Sequence, residues 1–427
     1  MAASITIKTD LVSFSPVYNR QEVCVVADGV TLALTGMQYI FDVYIENVSS
    51  PTYKRFQVPP DPTGSTYYGT VDIGRYCESA CNSVLFPYDT VTPVILGARA
   101  TGQQSIIKVT VKYGYSYLNA GVYTAVPDIL VGSTRYMFQG SLTEQELMGW
   151  TPNDYLCNIA NGANAEFLTD MKTNMVSINN LGATAFLTDT PTDIDYVVYK
   201  TYDSAGTLIQ TATKANAVSQ VLTSSRMYQV ATAPEQINNL TGAWITGAQP
   251  VITSSVASYT VQLTNSAGAV ASEILYFTIE EPCRYEQRRV AFENRFGGFD
   301  YFNFDLRSQG KREVERKGYK YDKYPIVSAG ISRSYQDQSQ VTNFVKTQDS
   351  LTIRSEYLST AQNTWLKQLI ESPELYLQFT DPTGAENYLA YEKVNSSSWI
   401  EKDSTIDKVF NLELELKLSQ ANFRQRR

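Results

Sequence analysis

Apolar and polar residues alternate in short runs over most of this chain, and the period is two far more often than 3.6. Met37-Gln38-Tyr39-Ile40-Phe41-Asp42-Val43-Tyr44-Ile45 predicts a strand, as do Tyr53 to Val58 and the alternating run Ile106 to Tyr113. Pro59-Pro60-Asp61-Pro62-Thr63-Gly64 predicts a turn between them. One stretch has helical spacing instead. Asp72 can cap Ile73 to Leu85, where Ile73, Tyr76, Cys77, Ala80 and Val84 share a face. Residues 1–118 are therefore expected to form a β-sandwich with one short helix. Residues 119–159 are less regular and read as a connector, with Ser141-Leu142-Thr143-Glu144 as the capping box of a helix reaching Met148.

Residues 160–282 predict a second, immunoglobulin-like sandwich with a weak internal echo. Tyr196 to Tyr202 runs into Asp203-Ser204-Ala205-Gly206, and Tyr259 to Thr264 runs into Asn265-Ser266-Ala267-Gly268. Each is a strand, a short turn opened by Asp or Asn and closed by Gly, then another strand. Residues 283–427 change character. Ser359-Thr360-Ala361-Gln362 is a capping box for a helix that carries Leu358, Ala361, Trp365 and Leu369 on one stripe and stops before Pro373. Strands come next at Glu374 to Thr380 and Tyr388 to Val394, around the turn Asp381-Pro382-Thr383-Gly384. At the end Phe410, Leu412, Leu414, Leu416 and Leu418 alternate with polar residues, as a half-buried antiparallel strand requires. The expected fold is mainly β and multidomain: two immunoglobulin-like β-sandwiches, then a C-terminal α+β domain with one helix packed on an antiparallel sheet.

Composition narrows the chemistry. The 427 residues include 30 Tyr and no His. That excludes a Ser-His-Asp triad, a Cys-His dyad and an imidazole metal site. The net charge of −8 is uneven: residues 1–283 hold 13 Lys and Arg against 23 Asp and Glu, whereas residues 284–323 hold 11 against 7. An acidic body with one short basic segment disfavours phosphate-backbone binding. Cys24, Cys77, Cys81, Cys157 and Cys283 are too few and too spread for a disulfide framework and read as buried thiols. The N-terminus lacks the pattern of a signal peptide, and no apolar run reaches about 18 residues. The chain is thus expected to be made in a cytoplasm without membrane insertion.

The most distinctive stretch runs from Cys283 to Phe304, through Arg295-Phe296-Gly297-Gly298-Phe299-Asp300-Tyr301-Phe302-Asn303-Phe304. The two glycines permit positive φ at both centres of a tight hairpin. Phe296, Phe299, Tyr301, Phe302 and Phe304 are candidate anchors for a neighbouring subunit. The alternatives are that these rings fill the C-terminal domain's own core or stack on a ligand. The next run, Arg307 to Tyr324, mixes charges with Tyr; Arg307, Lys311, Arg312 and Arg316 are candidates for registry against an acidic partner. Carboxylate pairs such as Asp193 and Asp195 lack a groove-forming aromatic context. There is no Walker loop, no GxGxxG and no acidic calcium loop. No catalytic, cofactor-binding or metal-ligating residue is expected.

Three stretches resemble structural tail or neck proteins of tailed bacteriophages, in particular those infecting Bacteroidota, of crAss-like type. They are Phe14-Ser15-Pro16-Val17-Tyr18-Asn19 with the Tyr39 to Tyr44 and Phe56 to Pro60 runs, the Phe296 to Asp300 hairpin, and Thr364-Trp365-Leu366 through Leu377 to Phe423. The resemblance implies a virion subunit of a tail, neck or baseplate, made in the host bacterial cytoplasm. It implies a ring of six or twelve copies that also contacts other virion proteins. The expected function is structural, not enzymatic. The alternatives are a fibre-type protein that recognises a host-surface glycan and a glycan depolymerase.

Overall fold

The computed structural model describes residues 4–46, 52–63, 66–81, 95–97, 106–216, 227–240, 242, 244–281, 284–320, 326–328, 330–331, 335, 340–393, 411–420 and 422–426. The chain is mainly β and forms two compact units. One holds Met1–Glu281 and Phe292–Tyr301; the other holds Pro282–Ala291 and Phe302–Arg427.

The first unit contains two sandwiches. In the N-terminal one, a four-stranded sheet (Ile5–Thr9, Glu22–Ala27, Thr66–Asp72, Asp61–Thr63) faces a six-stranded sheet built on Gln38–Ile45 and the long strand Ile106–Asn119. Val23, Val25, Tyr39, Phe41, Val43, Ile107 and Val111 fill the space between them. The segment read as a connector belongs to this sandwich, because Val122–Val131 and Arg135–Phe138 both pair with Ile106–Asn119. The run expected as a turn also contributes a strand, Asp61–Thr63, paired with Thr66–Asp72. The expected helix is short, Gly74–Glu78. Its N-cap is Ile73, not Asp72, and makes no side-chain cap bond; Asp72 Oδ1, one residue earlier, accepts from Gly74 N at 3.0 Å and from Gln21 N at 2.9 Å. Val84 and Leu85 lie outside the described residues.

The second sandwich pairs a six-stranded sheet, centred on Tyr196–Tyr202 and Ser258–Thr264, with the sheet Ala183–Leu187, Met227–Ala231 and Ile95–Gly97. Here the tyrosine content finds a use. Tyr199 Oη donates to Ala231 O at 3.0 Å, and Tyr259 Oη donates to Thr232 O at 2.6 Å. In the first sandwich Tyr39 Oη donates to Tyr67 O at 2.7 Å and accepts from Ala27 N. Each phenol spans the sandwich and satisfies a main-chain group of the facing layer that would otherwise be buried unpaired.

Four turns obey one local code: Asp203, Asn265, Asn294 or Asp381, two residues, then Gly. In each, the side-chain oxygen of the first residue accepts two backbone N–H groups, and the Gly has positive φ. Gly carries this φ without the steric cost of a Cβ. Three of these turns stand in open space. The fourth, at Asn294, is buried and belongs to the first unit. Only Gly297 there has positive φ, +71°, so the expected two-glycine turn is replaced by this five-residue one.

The Asn294 turn is fixed from several directions. Asn294 Nδ2 donates to Leu168 O at 2.8 Å, Ser141 N donates to Arg295 O at 2.8 Å, and Gln139 Nε2 donates to Glu293 at 2.7 Å. Phe296 enters a third core with Phe14, Phe138, Leu156, Leu168 and Leu187. Arg295 pairs with Glu146 and Asp170. Glu146 is also the third residue of the helix Glu144–Met148, whose capping box starts at Thr143, two residues later than expected. The shift has a cause: Ser141 N and Leu142 N are already given to Arg295 O and Asn19 Oδ1.

In the second unit the strands Leu375–Thr380, Glu386–Lys393, Glu413–Leu418, Gln340–Arg354 and Gln309–Lys320 lie side by side in that order, with Asn422–Arg426 also on Gln340–Arg354. Ser359 and Gln362 form the expected capping box of helix Thr360–Trp365, which continues as Lys367–Glu371. Trp365, Leu366 and Leu369 are buried, and Trp365 meets Phe302 edge-on at 6.0 Å. In the strand Glu413–Leu418, Leu414 and Leu416 alternate inward as expected, with Leu412 buried just before it; Phe410 lies outside the described residues.

A Cβ on Gly297 would sit 1.4 Å from Gln139 O, whereas one on Gly268 meets nothing within 4 Å. Gly268→Ala should cost about 1–2 kcal/mol of left-handed strain. Gly297→Ala adds overpacking and should cost about 3–5 kcal/mol; urea unfolding of the two variants measures the difference. Burial works to raise the Glu146 pKa, but the Thr143 N–H and the Arg295 charge outweigh it and hold the group below its usual 4.5. A lowered carboxylate stabilises the fold above its unfolded pKa, and the contribution is lost as pH falls through the folded pKa. Melting temperature should therefore drop below about pH 4.5, and less steeply in Glu146→Gln.

Candidate functional site

The nine residues singled out as interface candidates fall into two groups. Phe296, Phe299 and Phe304 are at most 1% exposed. Phe296 packs in the third core of the first unit, and neither it nor the other two has surface to offer a neighbour. Tyr301 and Phe302 are half-buried, and Phe302 packs against Phe304 at 5.0 Å. The physical reason is the Asn294 turn, which carries its aromatic flank inward with it. Arg307, Lys311, Arg312 and Arg316 are all exposed.

The three residues from Lys311 to Arg316 lie on Gln309–Lys320, every residue of which is exposed. This strand is the last in its sheet and pairs only with Gln340–Arg354, from Gln309 opposite Thr352 to Lys320 opposite Gln340. The two make a long ribbon whose faces differ. Lys311, Glu313, Glu315 and Lys317 share one face, where Lys311 pairs with Glu313 and Lys317 with Glu315. Arg312, Val314 and Arg316 share the other, opposite Asp349, Thr347 and Val345. Arg312 grips Asp349 with two bonds, 2.5 and 2.9 Å. Arg307 and Arg316 form no ion pair with any described residue.

Sequence reading missed a pattern here that was in plain sight. Residues 310–318 read Gly-Lys-Arg-Glu-Val-Glu-Arg-Lys-Gly, the same in both directions about Val314. Two such strands paired antiparallel about Val314 would set Lys on Lys, Arg on Arg and Glu on Glu. Like charges directly opposite destabilise a strand pair, and charged edges restrain edge-to-edge pairing.

A groove of about 350 Å³ opens at the root of the ribbon, lined by Arg288, Lys311, Arg312, Asp349, Leu351, Leu377 and Tyr391 among others. It exists because Gly310 stands opposite Leu351 and leaves the space above it empty. Arg288 gives one nitrogen to Glu286 at 2.5 Å, while its buried Nε has no hydrogen-bond partner. Burial raises the Tyr391 phenol pKa; Arg288 opposes that and Asp349 adds to it, so the hydroxyl stays a donor at neutral pH. Neither Arg288 nor Tyr391 is separable in the sequence from any other strand residue; only the register brings them together.

Other candidate chemistry is spent on structure. Asp193 accepts from Thr190 Oγ1, and Asp195 from Ser266 N at 2.7 Å. Cys24, Cys77, Cys81 and Cys157 are free thiols; burial pushes Cys77 up to about 12 and raises Cys81 and Cys157 as well. Cys283 lies outside the described residues. Among the described residues no group of His, Cys, Asp and Glu could hold a metal, and no helix is long and apolar enough to cross a membrane.

No family model matches the chain, and no curated protein matches it. Among solved structures, the native conformation of E. coli alpha-2-macroglobulin aligns over 97% of this chain and 20% of its own, at 8% identity and a TM-score of 0.20. A mutant of Salmonella alpha-2-macroglobulin aligns over 99% of this chain and 34% of its own, at 8% identity and a TM-score of 0.15. The chain thus spans a fifth and a third of those proteins, and likenesses this faint carry no argument about fold or function.

The exposed ion pair of Arg312 with Asp349 is screened by solvent. Arg312→Ala should leave the urea unfolding midpoint of the protein unchanged, which separates any effect of this residue on association from an effect on folding.

Proposed function

We propose that this chain is a non-enzymatic structural subunit of a phage tail, neck or baseplate, and that identical copies associate into a ring. The observation that carries the reading is the ribbon: a fully exposed, cation-bearing edge strand on a chain whose first 283 residues have a large acidic excess. Such a strand has no role in the chain's own core. Its excess of cations and the acidic body are complementary, so one copy's ribbon fits another copy's body better than another ribbon. The palindrome about Val314 supports the same choice, since it penalises the symmetric two-fold strand pair. A contact between unlike surfaces is head-to-tail, and a head-to-tail contact that closes makes a ring.

The purified protein should show one closed oligomer by native mass spectrometry and a ring by negative-stain electron microscopy, with subunit number six or twelve. High salt should shift it towards monomer, because the contact is electrostatic. A protein that stays monomeric at high concentration in low salt would sink this reading.

A further inference from the structure

The groove at the root of the ribbon has features that the ring reading does not use. Its floor is aliphatic, Leu351 and Leu377. Arg288 and Arg312 stand on its rim, Arg312 bonded to Asp349 and Arg288 to Glu286. Lys311 borders it by its backbone, its side chain lying on the opposite face with Glu313. Even so, the Arg288 Nε–H is buried without an acceptor. A buried donor left unpaired costs about 1–3 kcal/mol, and native proteins seldom carry one without a reason. Tyr391 supplies a second donor on the same wall.

The space itself is a product of sequence. Gly310 is the second residue of its strand, where glycine weakens the pairing and where an added Cβ would meet no atom within 4 Å. Its face of the sheet is the inward one: Leu351 and Ile353 continue along it, and Ile353 is fully buried opposite Leu414. A side chain at 310 would cover Leu351. Gly310 keeps that leucine open beside the unpaired guanidinium N–H. An aliphatic floor with two donor residues in its wall fits a carboxylate on a short methylene arm, the chemistry of an Asp or Glu side chain. It fits a free inorganic anion less well, because an anion leaves the leucines wet.

We infer that this groove receives an Asp or Glu side chain from the acidic body of a second copy, seated on Leu351 and Leu377 and bonded by Arg288 Nε and Tyr391 Oη. This rests on the ring reading and names the socket through which one ribbon root engages the next subunit. The source of the carboxylate is argued from charge. Residues 1–283 carry 23 acidic against 13 basic side chains, and they belong almost wholly to the first unit.

The test uses full-length protein in which ¹⁴N- and ¹⁵N-labelled copies are mixed, assembled and treated with a zero-length carbodiimide that joins Lys to Asp or Glu. Lys311, on the strand that borders the groove, should give cross-links between unlike labels to acidic residues of 1–281. Two variants probe the socket. Gly310→Val fills it without touching a charge, and Arg288→Met removes the donor while keeping the aliphatic stem. Each should raise the concentration needed for half assembly about tenfold or more, as loss of one partner of a buried charged bond does. Both variants should keep the wild-type unfolding curve, which shows that the fold is intact. If wild-type copies assemble, but Gly310→Val assembles equally well and Lys311 links only within a label, the groove proposal is overturned and the ring reading stands. If wild-type copies do not assemble at all, both fall together.

Discussion

The close approach of Gly297 to the carbonyl of Gln139 is the constraint on which the first unit depends. A backbone can come this near another only where there is no Cβ, and the Asn294 turn puts its one left-handed residue at that point. The other contacts depend on it. Asn294 spends its oxygen on the turn and its amide on Leu168 O, which fixes the turn in its slot. Phe296 is then directed among Phe138, Leu156 and Leu168, and Arg295 is left at the rim between Glu146 and Asp170. Glu146 in turn completes the cap of its own helix. One peptide contact thereby orders a core, an ion-pair cluster and a helix terminus.

Much of this fold was legible in the sequence where structure is local. The strand Gln38–Ile45, the turns at Asp203, Asn265 and Asp381, the Ser359 capping box and the alternation of Leu412, Leu414 and Leu416 all arise from neighbours a few residues apart. The failures share a physical cause. Val122–Val131 and Arg135–Phe138 have strand composition, but their membership in the first sandwich is decided by pairing with Ile106–Asn119, which periodicity does not encode. Thr143 replaced Ser141 as cap because Ser141 N and Leu142 N donate to Arg295 O and Asn19 Oδ1, far away in sequence. The aromatic run from Phe296 to Phe304 was legible as internal, filling the C-terminal domain's own core, but the sequence did not say that Phe296 packs in the first unit instead. The Asn294 turn has the same code as three exposed turns, and nothing local says that this one is buried. The cations of the ribbon were visible as a charge pattern, while the groove beside them depends wholly on strand register.

Electrostatics divides the surface in a consistent way. Cations that serve the fold, such as Arg55 on buried Asp42 of the next strand and Arg295 on its two distant carboxylates, are tied with short multiple bonds to acids of other elements. On the ribbon the pairs are mostly between residues two apart on the same strand, solvent-exposed and weak. Such pairs open at little cost and leave the same charges ready for another surface.

The buried Asn294 turn also sets an order of events as the chain is made. Its partners Leu168 and Gln139 lie 126 and 154 residues earlier. Both sandwiches of the first unit are encoded before residue 282, but their shared core lacks Phe296 until the hairpin leaves the ribosome. An incomplete core with an open slot is exposed hydrophobic surface, the kind that chaperones hold and neighbouring nascent chains can join. Because the Asx turn forms from a few adjacent residues, the plug arrives already shaped. Maturation of the N-terminal two-thirds is therefore timed by a segment that lies, in sequence, within the stretch encoding the second unit.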